Sequence, residues 1–216
     1  MKHISGKIVH FNLYGMPLSF CNQSSEKWVY PYPYEGSDDD LCSSGCGLFS
    51  VVHAVECMQG FFCPPEVVAH FALKYGGRGD DGTDRPTLLR AMEKEGFAAK
   101  LGFSYNGEDL RNDKEALFEH LIEGNGTALC NLRVGHIVAL IGARETEKGQ
   151  EVLVIDSSSE TDNIAIRNMI TEVLPESRIR KEKKNTDGMI CSYAETYACY
   201  WAKMETVRDF NLLHIL

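Results

Sequence analysis

The hydrophobic period of this chain changes from that of helices to that of strands near residue 127, and no other feature of the sequence constrains the fold as much. Before that point apolar residues recur at three- and four-residue steps: Leu48, Val51, Val52, Val55 and Met58, then Leu88, Leu89 and Met92, then Leu117, Phe118, Leu121 and Ile122. Such spacing puts each set on one face of a helix. After it, segments 127–132, 136–143 and 151–155 are apolar and β-branched and are bounded by glycine or charged turns, as strands are. Helices first and strands second is the order of an α+β protein, not the alternation of a doubly wound sheet.

The helix boundaries can be read from turn and capping residues. Pro64 and Pro65 open a helix that runs to about residue 75, and two more are expected over 84–94 and 113–123. Two short strands, 7–13 and 17–21, are joined by Tyr14-Gly15-Met16, and 188–200 is a further strand candidate. Segments 163–173 and 206–216 carry no decisive pattern. With 216 residues and 44% hydrophobic content the chain can bury one good core, so one domain is expected. It would have a helical lobe at about 41–123 and a sheet lobe at about 124–216 that takes in the strands from 1–30.

Charge and composition narrow the function classes. A net charge of −9 argues against a nucleic-acid partner, because phosphate binding needs a concentrated positive surface. The one basic run, 178–184, is expected to be a solvated loop or helix face. No apolar run is long enough for a membrane helix, and the first seven residues lack the apolar core of a signal peptide, so a cytoplasmic location is the default expectation. The eight cysteines then stay reduced and unpaired. None is spaced as Cys-x-x-Cys or with histidine at zinc-ligand distance, so neither a structural metal nor another cofactor is expected.

The chemistry centres on Cys42-Ser43-Ser44-Gly45-Cys46-Gly47, which leads into the first apolar helix. Ser43 and Ser44 are expected to cap that helix, with Gly45 and Gly47 letting the backbone turn and approach a ligand. Cys46 would then sit at the positive end of the helix dipole, which favours the reactive thiolate. A thiol nucleophile needs a base, and the base needs an orienting group. His136 begins one strand and Asp156 ends the next. If the two form a hairpin, cross-strand partners have numbers summing to roughly 292–294, and 136 with 156 gives 292. Imidazole and carboxylate would then be about 5–6 Å apart at the backbone and on the same side of the pleat. His53 lies two turns beyond Cys46 on the same helix, roughly 10 Å away and out of reach. Mid-helix His70 and His120 read as surface or satisfied core residues.

Together Ser44-Gly45-Cys46-Gly47, Gly82-Thr83, Gly135-His136-Ile137-Val138-Ala139-Leu140-Ile141-Gly142 and Val154-Ile155-Asp156 resemble the papain-like cysteine peptidases. The resemblance covers roughly residues 28–157 and is nearest to the bacterial branch of leader-cleaving, bacteriocin-processing peptidases and their stand-alone relatives. It implies a papain-like fold, with Cys46 on the helical lobe, His136 and Asp156 on a twisted antiparallel sheet, and a peptide or small amide as substrate. Three positions depart from that pattern. Leu48-Phe49 replaces Pro-Thr/Ser, Ser157 replaces the proline after the aspartate, and no glutamine stands shortly before Cys46 to serve the oxyanion hole. Gln23 lies too far upstream to be assigned that role, and Tyr34 falls nearer the donor position. Acyl transfer through the same thioester, a non-catalytic peptide-binding module, and a thiol redox protein using Cys42 are the alternatives.

Overall fold

The computed structural model describes residues 8–23, 25, 27–107, 112–132, 136–158 and 164–216; Lys7, Gly135 and Asn163, which bound expected strands or uncertain segments, lie outside them. The elements in chain order are β1 (Ile8–Leu13), β2 (Met16–Cys21), α1 (Leu41–Ser44), α2 (Cys46–Gln59), α3 (Pro65–Tyr75), β3 (Arg78–Gly79), β4 (Gly82–Thr83), α4 (Arg85–Lys94), α5 (Phe97–Lys100), β5 (Phe103–Ser104) and α6 (Lys114–Ile122). They continue with β6 (Gly126–Leu132), β7 (Ile137–Thr146), β8 (Gly149–Ile155), α7 (Ile164–Met169), β9 (Ile170–Val173), β10 (Arg178–Lys184), β11 (Ile190–Tyr197), β12 (Cys199–Lys203) and β13 (Val207–Ile215). The protein is mixed α+β, built on a large antiparallel sheet.

Local chemistry explains the helix ends. Asp84 and Asp113 cap α4 and α6 by accepting from the N–H groups of Thr87 and Ala116. Pro65 occupies the first turn of α3, and Gly60 closes α2 in the left-handed conformation at φ 70°.

Seven strands form the sheet in the order β5-β13-β6-β7-β8-β12-β9. On β6, β7 and β8 the side chains alternate between two cores. Cys130, Val138, Leu140, Val152 and Val154 meet α6 through Leu117, Phe118 and Leu121. Leu129 and Ala139 turn the other way, onto α2. Leu153 and Ile155 lie on that second face too, since Ile155 pairs with Ala139. There they meet Val9, Leu13, Leu18 and Phe20 of β1 and β2. Helix α2 is therefore buried on all sides from Gly47 to Glu56, held between the sheet and the other helices.

Several expectations are corrected. Strands β1 and β2 do not join the large sheet. They pair with each other through a turn with positive φ at Tyr14 (49°) and Gly15 (92°), and cover the sheet's face as a separate hairpin. Helix α6 packs on the opposite face of the sheet from α2, so the helical run 41–123 is not one layer. Ile122, expected inward, is 53% exposed because α6 ends there. The basic run 178–184 is a strand, β10, paired with β11 and anchored by buried Ile179; cross-strand pairing satisfies its backbone where a loop or helix was expected. Segment 188–200 divides at Ala198 into β11 and β12, which belong to different sheets. The unassigned segments become α7 with β9, and β13, a partner of β6 inside the sheet.

Candidate active site

Cys46 is the first residue of α2, but Ser43 and Ser44 do not cap that helix. Ser43 and Asp40 form a reciprocal cap on the preceding short helix α1, and the N-cap of α2 is Gly45, with no side-chain bond. The glycines serve protein packing. A Cβ on Gly45 would collide with the Leu41 carbonyl oxygen, and one on Gly47 would lie 2.5 Å from Thr83 Cβ. Where α1 meets α2 the helical bond from Cys46 N–H to the Cys42 carbonyl is not made. The Cys42 carbonyl instead accepts from Gln23 Nε2 at 3.1 Å, and among the described residues nothing accepts from the Cys46 N–H.

His136 precedes β7, and its Nε2 bonds Asp156 Oδ1 at 2.7 Å. The hairpin register explains the contact. Ala139 pairs with Ile155 and Leu140 with Val154, sums of 294 at the upper end of the expected range, which leaves His136 and Asp156 two residues out of direct opposition; a bulge between Leu140 and Gly142 shifts the remainder of the hairpin to 295. A two-residue offset preserves side-chain parity, so His136 and Asp156 still share a face and meet diagonally. With Nε2 engaged, Nδ1 is the nitrogen left for Cys46. Ser50 ties the two elements together, its hydroxyl donating to the carbonyls of Cys46 (2.8 Å) and Ile137 (3.1 Å).

The electrostatics favour an ion pair. Burial alone would raise the Cys46 pKa, but the hydrogen bond and positive charge of His136, with the N–H groups of Ile137 and Gly47 directed at the sulfur, lower it below the ordinary thiol value. For His136 burial would lower the pKa, yet the Asp156 charge and hydrogen bond, together with the Cys46 thiolate, raise it to about 10. Asp156 is fully buried, which would raise its pKa. The His136 charge and hydrogen bond, the Ser158 N–H at 2.9 Å and the Tyr200 hydroxyl at 2.9 Å hold it below the carboxylate range instead. Burial pushes Cys57 and Cys130 the opposite way, each up to about 12. His53 lies buried with Nε2 accepting from the Cys21 N–H at 3.0 Å, and burial drives its pKa to about 3.

Cys46, His136 and Asp156 are thus brought together, and Tyr34 is not among their partners. Its hydroxyl faces Glu35 and its ring lies under the Arg78 guanidinium, 5.6 Å away. The tyrosine that feels the Cys46 charge is Tyr32, fully buried and bonded to Thr83 Oγ1 at 3.2 Å. Sequence reasoning missed Tyr200, Ser158 and Gln23. Ser158 carries a faint signal, since an aspartate side chain commonly accepts from the backbone N–H two residues on. Tyr200 and Gln23 carry none, because each is joined to the site only by tertiary folding. No family model, no curated protein and no solved structure matches the chain.

Proposed function

We propose that the chain is a papain-like cysteine hydrolase of peptide or other amide bonds, with Cys46 as nucleophile, His136 as base and then acid, and Asp156 as the group that orients His136. One observation carries this reading: a thiol at the first turn of a buried helix, paired with an imidazole whose other nitrogen is bonded to a fully buried carboxylate at 2.7 Å. A histidine serving only to fill the core would have no need of a charged partner on one side and a thiol on the other.

The thiolate attacks the amide carbonyl carbon, and the carbonyl π pair moves to oxygen. Neither the Cys46 N–H nor the second hydrogen of Gln23 Nε2, whose first is bonded to the Cys42 carbonyl, has an acceptor among the described residues, and in this reading both receive that oxyanion. Gln23 therefore takes the role first considered for Tyr34. Imidazolium His136 protonates the leaving amine, the C–N bond breaks, and a thioester remains. Neutral His136 then takes a proton from water, whose oxygen attacks the thioester carbon and releases the acid and the thiolate. Asp156 keeps the imidazole in one orientation throughout.

The test is alkylation of each thiol by iodoacetamide near neutral pH, mapped by mass spectrometry. Cys46 is expected to react at least about tenfold faster than exposed Cys191 and buried Cys130. A Cys46 rate no greater than theirs rejects the activated thiolate. In parallel, Cys46→Ala should abolish thioester formation with p-nitrophenyl acetate.

A further inference from the structure

Ser157 stands where the resembled family carries proline, and its surroundings give that difference a purpose. Just past the end of β8, two consecutive side chains point in opposite directions. Asp156 reaches His136, while the Ser157 hydroxyl donates to Gln23 Oε1 at 3.0 Å. The backbone repeats the link, Gln23 N–H donating to the Ser157 carbonyl at 2.9 Å. Gln23 is 7% exposed and Ser157 2%, so these bonds are shielded from water.

We propose that Ser157 is a positioning residue for the oxyanion donor: its hydroxyl, bonded to Gln23 Oε1, aims the Gln23 amide N–H at the carbonyl oxygen under attack. This rests on the Cys46–Gln23 oxyanion reading given above. The amide is held at both ends. Its oxygen takes the serine proton, and one Nε2 hydrogen goes to the Cys42 carbonyl, an acceptor only. Turning the amide over would set oxygen against oxygen at Cys42, which fixes the orientation in which the serine donates. One Nε2 hydrogen is left, and neither it nor the Cys46 N–H has an acceptor among the described residues. The Asp156-Ser157 dipeptide thus aims the base and the oxyanion donor from a single turn of chain.

A double-mutant cycle tests this with two reagents on the full-length protein. In acylation by p-nitrophenyl acetate the S–C bond forms as the carbonyl pair moves to oxygen; the oxyanion then collapses and p-nitrophenolate leaves with its electron pair. Alkylation by iodoacetamide displaces iodide and develops no oxyanion. Gln23→Ala is expected to lower the acylation rate roughly 10²–10³-fold, and Ser157→Ala roughly tenfold. Adding Ser157→Ala to Gln23→Ala should change it by less than about twofold, because the serine acts only through the glutamine. Alkylation of Cys46 stays within about twofold in all three variants. An undiminished acylation rate in Ser157→Ala overturns the proposal. So does an equal loss with and without Gln23, or a parallel fall in alkylation, which would mean that the serine acts through Asp156. Unchanged acylation in Gln23→Ala by itself removes the oxyanion reading beneath it. A second readout uses the folded wild-type protein: the Gln23 Nε2 hydrogen bonded to the Cys42 carbonyl should exchange slowly with solvent by NMR. Exchange as fast as that of an exposed glutamine contradicts a clamped amide.

Discussion

Replacing Tyr200 with phenylalanine removes one oxygen and leaves the ring in place, which isolates what the hydroxyl does for Asp156. The two groups are 2.9 Å apart and both residues are 0% exposed, so no water can take over the lost bond. A hydrogen bond to a charged group is worth about 1.5–3 kcal/mol, and that is the expected loss of stability at neutral pH. For a chain of this size it corresponds to a melting temperature lower by roughly 3–12 °C. The pH dependence follows from the direction of the Asp156 shift. Its folded pKa lies below the ordinary 3.8, so its contribution is complete above that value and is lost as pH falls through the folded pKa. The gap between wild type and Tyr200→Phe, measured by urea unfolding, should be widest near pH 7 and narrow in acid. A gap under about 0.5 kcal/mol at neutral pH, or one that does not change on acidification, refutes the reasoning.

Other outcomes follow from the same geometry. With an amide substrate, turnover should fall as pH rises through about 10, where His136 loses the proton it gives to the leaving amine, and Asp156→Asn should move that limb to lower pH. Stopped-flow rates across the pH range check both. Gly47→Ala should cost about 1–3 kcal/mol by chemical denaturation, since its Cβ would lie 2.5 Å from Thr83 Cβ and 2.9 Å from Thr83 Oγ1. On α6, Leu121→Ala should destabilise by about 2–5 kcal/mol while neighbouring Ile122→Ala stays within about 0.5, one residue being 5% exposed and the other 53%. Equal losses at the two positions would contradict the observed packing of that helix.

Much of the architecture is legible because it depends on local rules. Asp84, Asp113 and Pro65 mark helix starts by backbone chemistry that needs no distant partner. The β7–β8 hairpin is readable from its alternation and its turn, and near the site its register falls within the expected range; only beyond the bulge between Leu140 and Gly142 does it shift by one. The assignment of the serines before Cys46 fails for a local reason as well: a second helix, one turn long, competes for Ser43 and Asp40. The separate β1–β2 hairpin follows from an apolar face of the sheet that needed covering, and a list of strands does not reveal that.

The amino-acid order alone determined the class of the fold, the helix that carries Cys46, and the even spacing that lets His136 and Asp156 share a face; each is a matter of period or parity within a few dozen residues. Tertiary structure alone decided that Gln23 meets Ser157, that Tyr200 meets Asp156, and that Tyr34 turns to Arg78 and Glu35 instead. Gln23 and Ser157 are separated by 134 positions and Asp156 and Tyr200 by 44, and no periodic signal spans such distances. These groups became partners because burial left each polar atom in need of one, and only the packed core determined which were in reach.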